Sequence, residues 1–265
     1  MTRRKNAFTL IELLVVISII ALLMSILMPA LSRVRKQAQS VACMSRLKSW
    51  GLMYKLYTDD YNGSFPLGWG RNDVDQWMVA MRSFYNDDWD MLLCPTATRL
   101  VLGAGDTATW KAWTRTIGGR AYIGSYGNNS WTDNMSADRG DRRKEWFWKT
   151  TQNLSQRENP STIPVLGDST WHDAWPRHTD APVSSPLAFA YGDQGTTNEM
   201  NHFCIDRHNG WTNLMFADWS VRHVGLKELW TLKWHRAFEV NGPWTTRGGV
   251  TGNDWPQWLR KYKDY

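Results

Sequence analysis

The sequence predicts an α+β protein: a long N-terminal α-helix packed on a small globular head of short antiparallel strands and many loops. Three observations carry this. Leu13 to Ser32 holds no charge, and about 20 apolar residues suffice to span a bilayer as a helix. Beyond it, Leu31, Val34, Ala38, Val41, Met44, Leu47, Gly51 and Tyr54 recur at spacings of three and four, with basic and polar residues between them. After Asp59 the chain becomes rich in Gly, Trp, Asn and Asp, and short alternating runs replace the helical period.

The elements follow in order. A helix from Phe8 to about Tyr57 would be about 75 Å long at 1.5 Å per residue, with one half apolar all round and the other amphipathic. Proline removes a backbone hydrogen bond, so two helices broken at Pro29 are the alternative reading. Asp59-Asp60-Tyr61-Asn62-Gly63 is a helix stop. Residues 103–160 read as loop-dominated, and Thr162–Asp168 as a strand. Asn213–Ala217 and Ser220–Val224 read as a hairpin with Leu214, Phe216, Val221 and His223 on one face. Leu226, Leu229, Trp230, Lys233, Trp234, Ala237 and Phe238 have helical spacing, which predicts a helix over 226–240. There is no internal repeat and no low-complexity linker, so residues 58–265 read as one head domain.

Charge narrows the function. The 265 residues carry a formal +6, but residues 1–48 alone carry +7 (eight Lys/Arg against Glu12) and the remainder is close to neutral. A basic nucleic-acid-binding domain is therefore excluded as the reading of the bulk of the chain. Arg3, Arg4 and Lys5 precede the apolar run, and Arg33, Arg35 and Lys36 follow it, so the positive-inside rule alone leaves orientation open. Glu12 lies inside the apolar run, where an ionisable group costs about 2.5–3.5 kcal/mol and is by default functional; snorkelling to the membrane surface is the bland alternative. Leu27-Met28-Pro29-Ala30 is a poor site for signal peptidase, whereas a cut between Ala7 and Phe8 would remove the basic leader and leave the apolar helix on the mature chain.

The basic leader, Phe8-Thr9-Leu10-Ile11-Glu12 and the apolar helix with Pro29 resemble the class III signal of type IV prepilins and type II secretion pseudopilins. The resemblance implies a pilin-like fold with three parts: a leader at 1–7, a transmembrane and assembly helix at 8–57, and a head at 58–265. It implies cleavage before Phe8 by a prepilin peptidase and methylation of Phe8. Glu12 would pair with the amino terminus of a neighbouring subunit, and Pro29 would be the helix-loosening position. The precursor would sit in the inner membrane with its head in the periplasm. An inner-membrane assembly platform would build it, with like subunits and other pseudopilins, into a filament in the periplasm or at the cell surface. The residue before the cut is usually Gly in that family and is Ala7 here.

A second resemblance lies in the head. Arg207-His208, nine residues, then Asp218 is similar to the H-X9-DG prepilin-type C-terminal domain, with Trp219 where that family has Gly. Cys43 with Arg46-Leu47-Lys48, Tyr57 to Gly63, Cys94-Pro95, Ser125 to Asn129 and Gly167-Asp168 also match. The extracytoplasmic setting implies a possible Cys43–Cys94 disulfide tying helix to head, with Cys204 buried. Major pseudopilins hold a structural calcium in a C-terminal loop, which makes calcium the cofactor to consider, although no ligand set here can be matched to it. His208 and Asp218 also read as structural residues that cap or bridge the hairpin.

No GxSxG, HExxH, Walker or dinucleotide motif is present, so the chain reads as a non-enzyme. All 18 tryptophans fall at or after Trp50. They read as core and interface packing, as a sugar-stacking surface at Trp110/Trp113, Trp146/Trp148 and Trp171/Trp175, or as a membrane belt. A membrane-tethered, non-polymerising carbohydrate-binding protein is thus the rival to the filament subunit.

Overall fold

A computed structural model describes residues 10–68, 75–97, 99–100, 109–135, 142–155, 159–185 and 198–265. Ala7 and Phe8, the expected processing site, lie outside the described residues.

One helix, α1 (Leu10–Asp60), runs unbroken through Pro29. It stops where the sequence predicts: Asn62 and Gly63 take positive φ, and the Gly63 N–H turns back to the Thr58 carbonyl at 2.6 Å. Its side chains divide it in two. From Leu10 to Leu31 every residue is exposed in the isolated chain. From Ser40 onward one face is buried, through Cys43, Leu47, Trp50, Gly51, Tyr54, Tyr57 and Thr58. The amphipathic stripe expected to begin at Leu31 thus begins about nine residues later, and Leu31, Val34 and Val41 stay exposed.

The head carries two sheets. The first has the order β1 (Arg99–Leu100), β2 (Lys111–Ile117), β3 (Arg120–Gly124). The second has β4 (Tyr126–Asn129), β5 (Pro164–Asp168), β6 (Asp173–Ala174), β7 (Trp211–Phe216) and β8 (Val221–Gly225), in the order β6-β4-β5-β7-β8. The long ladders are antiparallel; only the two-residue strands β1 and β6 pair parallel. Helix α1 packs on β7 and β8. Polar ties fix it there: Trp50 Nε1 donates to the Met91 carbonyl (2.6 Å), Arg46 to Leu93 (2.6 Å) and Lys48 to Trp219 (2.9 Å).

Three sequence expectations are corrected. Residues 103–160 are not loop-dominated where described, since β2, β3 and β4 lie in them. No helix spans 226–240; a single turn of 3-10 helix covers Glu228–Thr231. Leu229, Trp230, Leu232, Trp234 and Phe238 are all buried, and a helix would have exposed some of them. Instead the backbone turns to put every one inward, and its N–H groups bond elsewhere: Lys233 to the Thr162 carbonyl and Arg236 to Trp146. Finally, the hairpin register differs by one. Val221 faces Met215 and His223 faces Asn213, so Leu214 and Phe216 share their face with Arg222 instead. The loop between Phe216 and Ser220 is three residues wide, as Trp in place of Gly at 219 leads one to expect, with Trp219 at φ 63°; the face is what changes, since a one-residue slip moves a whole strand to the other side.

The head has few long ladders, so many buried carbonyls need other donors. Tryptophan supplies them. Trp50, Trp77, Trp113, Trp131, Trp148, Trp230, Trp234 and Trp255 are fully buried. All but Trp255 donate their indole N–H to a backbone carbonyl, for example Trp77 to His172, Trp131 to Pro176 and Trp148 to Trp234. Each such side chain buries a large apolar area and satisfies one carbonyl. These eight tryptophans therefore serve packing, whereas Trp110 and Trp211 stay largely exposed.

Candidate functional site

Two features stand out. The first is the bare half of α1. The helix is long and apolar enough to cross a membrane, and none of its apolar stretch is buried. Leu10, Ile11, Leu22, Ile26, Leu27 and Met28 are each exposed by more than 60%. A water-soluble monomer does not leave a stripe of that size uncovered. Glu12 lies near the start of the described part of α1, inside the apolar stretch. Pro29 sits well inside the helix.

The second feature is buried where α1 meets the head. Cys43 projects from α1, Cys94 precedes Pro95 after a short 3-10 turn (Trp89–Leu92), Asp168 ends β5, and His208 lies in the turn before β7. All four are buried, and one donor atom from each lies within 4.8 Å of the other three. His208 Nε2 is 3.0 Å from Asp168 Oδ2 and 3.5 Å from Cys94 Sγ. Cys43 Sγ is 3.6 Å from both Asp168 oxygens, and Tyr126 donates its hydroxyl to Cys43 Sγ at 3.3 Å. Gly167 lets β5 run this close to β7, since a Cβ there would fall 2.1 Å from Leu214 Cδ2.

Beside the cluster lies Arg207, itself buried. Its guanidinium reaches Asp168 Oδ1 at 3.4 Å and donates to the carbonyls of Thr109 (2.6 Å) and Ser169 (2.7 Å). The Asn213 N–H completes the shell of Asp168 at 3.0 Å. Burial alone would raise the Asp168 carboxyl, but the charges of His208 and Arg207 and these hydrogen bonds hold it well below the usual carboxylate range. Burial would lower His208, but Asp168 and Cys94 push it up to about 10. Burial, with Cys94 and Asp168, pushes the Cys43 thiol up. Burial also opposes ionisation of Cys94, yet hydrogen bonds from Cys43 and His208, with Arg207 nearby, bring it down to about 6.

The structure places the remaining expectations as follows. Cys43 and Cys94 are brought together, but as free thiols rather than as the expected disulfide; Cys204 is buried and apart. His208 and Asp218 do not form a unit. His208 engages Asp168, while Asp218 is exposed and caps its own turn, accepting from the Ser220 N–H (2.9 Å) and hydroxyl (2.6 Å). Of the six histidines only His208 joins a group of three or more metal-type donors among the described residues. Among the described residues no three carboxylates converge in a C-terminal loop, the arrangement calcium would want. The expected sugar-stacking pairs are not paired surfaces: Trp113 and Trp148 are fully buried and Trp175 is nearly so.

Sequence reasoning missed the cluster as a cluster, although Cys43, Cys94, Gly167-Asp168 and Arg207-His208 were each singled out. Three of the four donors adjoin a Pro, Gly or Arg (Cys94-Pro95, Gly167-Asp168, Arg207-His208), while Cys43 lies between Ala42 and Met44.

Residues 2–28 match the family described as the prokaryotic N-terminal methylation motif. The motif is prepilin-type. It marks a pilin-like protein processed by prepilin peptidase and anchored as a precursor through the apolar helix. No curated protein and no solved structure matches the chain.

Proposed function

We propose that this protein is a structural, non-enzymatic subunit of a type II secretion pseudopilus or a type IV pilus-like filament. The precursor sits in the inner membrane with residues 1–7 in the cytoplasm and the head in the periplasm. Prepilin peptidase cuts between Ala7 and Phe8, and Phe8 is N-methylated. Subunits then leave the bilayer on an inner-membrane platform and stack through α1 with like subunits and other pseudopilins. Contacts of this head-to-tail kind do not close, so they build a fibre.

One observation carries the reading: the methylation motif at residues 2–28 covers the start of the long helix α1, whose first half is bare and whose second half is embedded in the head. The bare half can trade lipid for other subunits because both environments are apolar. Removing Arg3, Arg4 and Lys5 with the leader lowers the formal charge from +6 to +3, so the basicity serves topology and assembly. Mass spectrometry of the native N-terminus tests this. A methylated Phe8 as first residue is the expected result, and an intact leader on protein from cells would overturn it.

A further inference from the structure

The cluster of Cys43, Cys94, Asp168 and His208 has no part in the assembly reading, yet all four side chains are buried together. Its geometry can be compared with metal coordination. A tetrahedral centre with metal–sulfur bonds of about 2.3 Å and metal–nitrogen or metal–oxygen bonds of about 2.0–2.1 Å has sulfur-to-nitrogen and sulfur-to-oxygen edges of about 3.5 Å, and nitrogen-to-oxygen edges of about 3.3 Å. The observed edges are 3.5 Å (Cys94 Sγ to His208 Nε2), 3.6 Å (Cys43 Sγ to Asp168) and 3.0 Å (His208 Nε2 to Asp168 Oδ2). These three edges lie within about 0.3 Å of such a tetrahedron's, and all four donors lie within 4.8 Å of one another.

From this geometry we infer that Cys43, Cys94, Asp168 and His208 bind one structural zinc ion that clamps the assembly helix to the head. The donor set decides the metal class. Two thiolates and an imidazole suit a borderline-soft ion such as zinc and do not suit calcium, which takes oxygen ligands. Four protein ligands fill a tetrahedral zinc, leaving no open position for a substrate, so the site is structural. On binding, the ion displaces the thiol proton of Cys43, whatever proton Cys94 still holds and the proton on His208 Nε2, and these leave to solvent. Two thiolates and one carboxylate around a dication leave one negative charge, and the buried guanidinium of Arg207, 3.4 Å from Asp168 Oδ1, balances it. Tyr126 on Cys43 Sγ, Thr96 Oγ1 at 3.0 Å from Cys94 Sγ and the Asn213 N–H on Asp168 form the outer shell that orients the ligands.

The four ligands come from α1, from the Cys94 loop, from β5 and from the turn before β7. Zinc would therefore join the helix to three separate parts of the head, and fix the angle at which the head sits on the assembly helix. The competing chemistry for the same sulfurs is a Cys43–Cys94 disulfide, which would remove both thiolates and the site.

The test is metal analysis of the full-length protein, purified in detergent without chelator, by inductively coupled plasma mass spectrometry alongside peptide mapping of the cysteines. About one zinc per chain is expected. Cys43 and Cys94 should be alkylated only after a chelator is added, and cobalt substituted for zinc should give the intense visible bands of a tetrahedral thiolate site. Cys43→Ser and Cys94→Ser should each lower zinc to well under half an equivalent. Should those variants fail to fold, cobalt titration of the chelated wild-type chain gives the same reading. A Cys43–Cys94 disulfide in the peptide map, a folded chain that takes up neither metal, or undiminished zinc in the folded serine variants would each overturn the assignment.

Discussion

Trp219, at the tip of the β7–β8 hairpin, stacks on Tyr54 of the long helix with ring centroids 6.4 Å apart and planes 24° apart. The same residue holds φ at 63°, a left-handed conformation that side chains other than Gly, Asn and Asp seldom adopt. Its carbonyl accepts from Lys48 Nζ at 2.9 Å, and Gly51 leaves the room for it, since a Cβ there would lie 3.2 Å from that oxygen. The turn is thus bent into an unfavourable backbone so that an aromatic ring and a carbonyl dock on α1.

Substitution at Trp219 should follow from that balance. Trp219→Ala loses the stacking and keeps the strained φ; Trp219→Gly loses the stacking and relieves the strain. We expect Gly to be the milder change by about 1 kcal/mol, the reverse of the usual order for these two residues. Denaturant unfolding of the two variants in detergent measures it. Equal stability, or Ala the milder, would mean the φ is not strained in solution.

Asp168 is buried with Arg207 and His208 as its charged neighbours. Removing one partner of a buried ionic group leaves the others uncompensated, which costs roughly 3–5 kcal/mol. Asp168→Asn should therefore be nearly as damaging as Asp168→Ala, because the charge and not the shape of the side chain is needed. Chemical denaturation with circular dichroism is the measurement, and an Asn variant within 1 kcal/mol of wild type would contradict it.

His235 sits in an aromatic box, stacked on Trp146 at 5.3 Å and packed against Trp131, Phe238 and His178. Burial first, then the positive neighbours His178, Lys233 and Arg177, lower its pKa to about 3. The unfolded chain takes up this proton near pH 6.5, while the folded chain resists it until about pH 3. Stability is therefore full above pH 6.5 and lost as pH falls. His202 acts in the same direction, whereas Asp180 and Glu199, raised to about 6 and about 7, favour the folded state on acidification. The difference between wild type and His235→Phe isolates one group. It should change by about 2 kcal/mol between pH 7 and pH 5, with the wild type losing more. Urea midpoints at the two pH values give the number, and parallel losses in the two proteins would rule out a neutral buried His235.

Legibility differed between the two halves for physical reasons. The helix and its stop at Asp59–Gly63 were readable because α1 is held by local bonds and its apolar half by composition alone. The hairpin was readable in position but not in face, because turn length at Asp218-Trp219 hangs on one residue whose φ is set by docking on Tyr54. The false helix at 226–240 came from spacing that suits a helix in Leu229, Trp230, Trp234 and Phe238, but five buried large residues leave no polar side to expose. The cluster was illegible because its members are separated by some forty residues or more at every step, and no local period records a tertiary meeting.

Glu12 gives the last prediction, one that separates assembly from folding. It lies at the start of α1, far along the chain from the first residue of that helix to be buried against the head, Ser40. Glu12→Ala should therefore leave the unfolding of the head unchanged, within about 0.5 kcal/mol, as expected for a substitution remote from the packed core. Filament incorporation should fall by tenfold or more, because a carboxylate in an apolar setting is tolerable only with a positive partner, which the amino terminus of a neighbour would supply. Glu12→Gln, which keeps the size but not the charge, should fail as Ala does, and Glu12→Asp should recover part of the activity. Sheared-filament yield, measured together with N-terminal mass spectrometry, distinguishes a block in assembly from a block in processing. Normal incorporation of the Gln variant would show that charge pairing at Glu12 does not drive assembly.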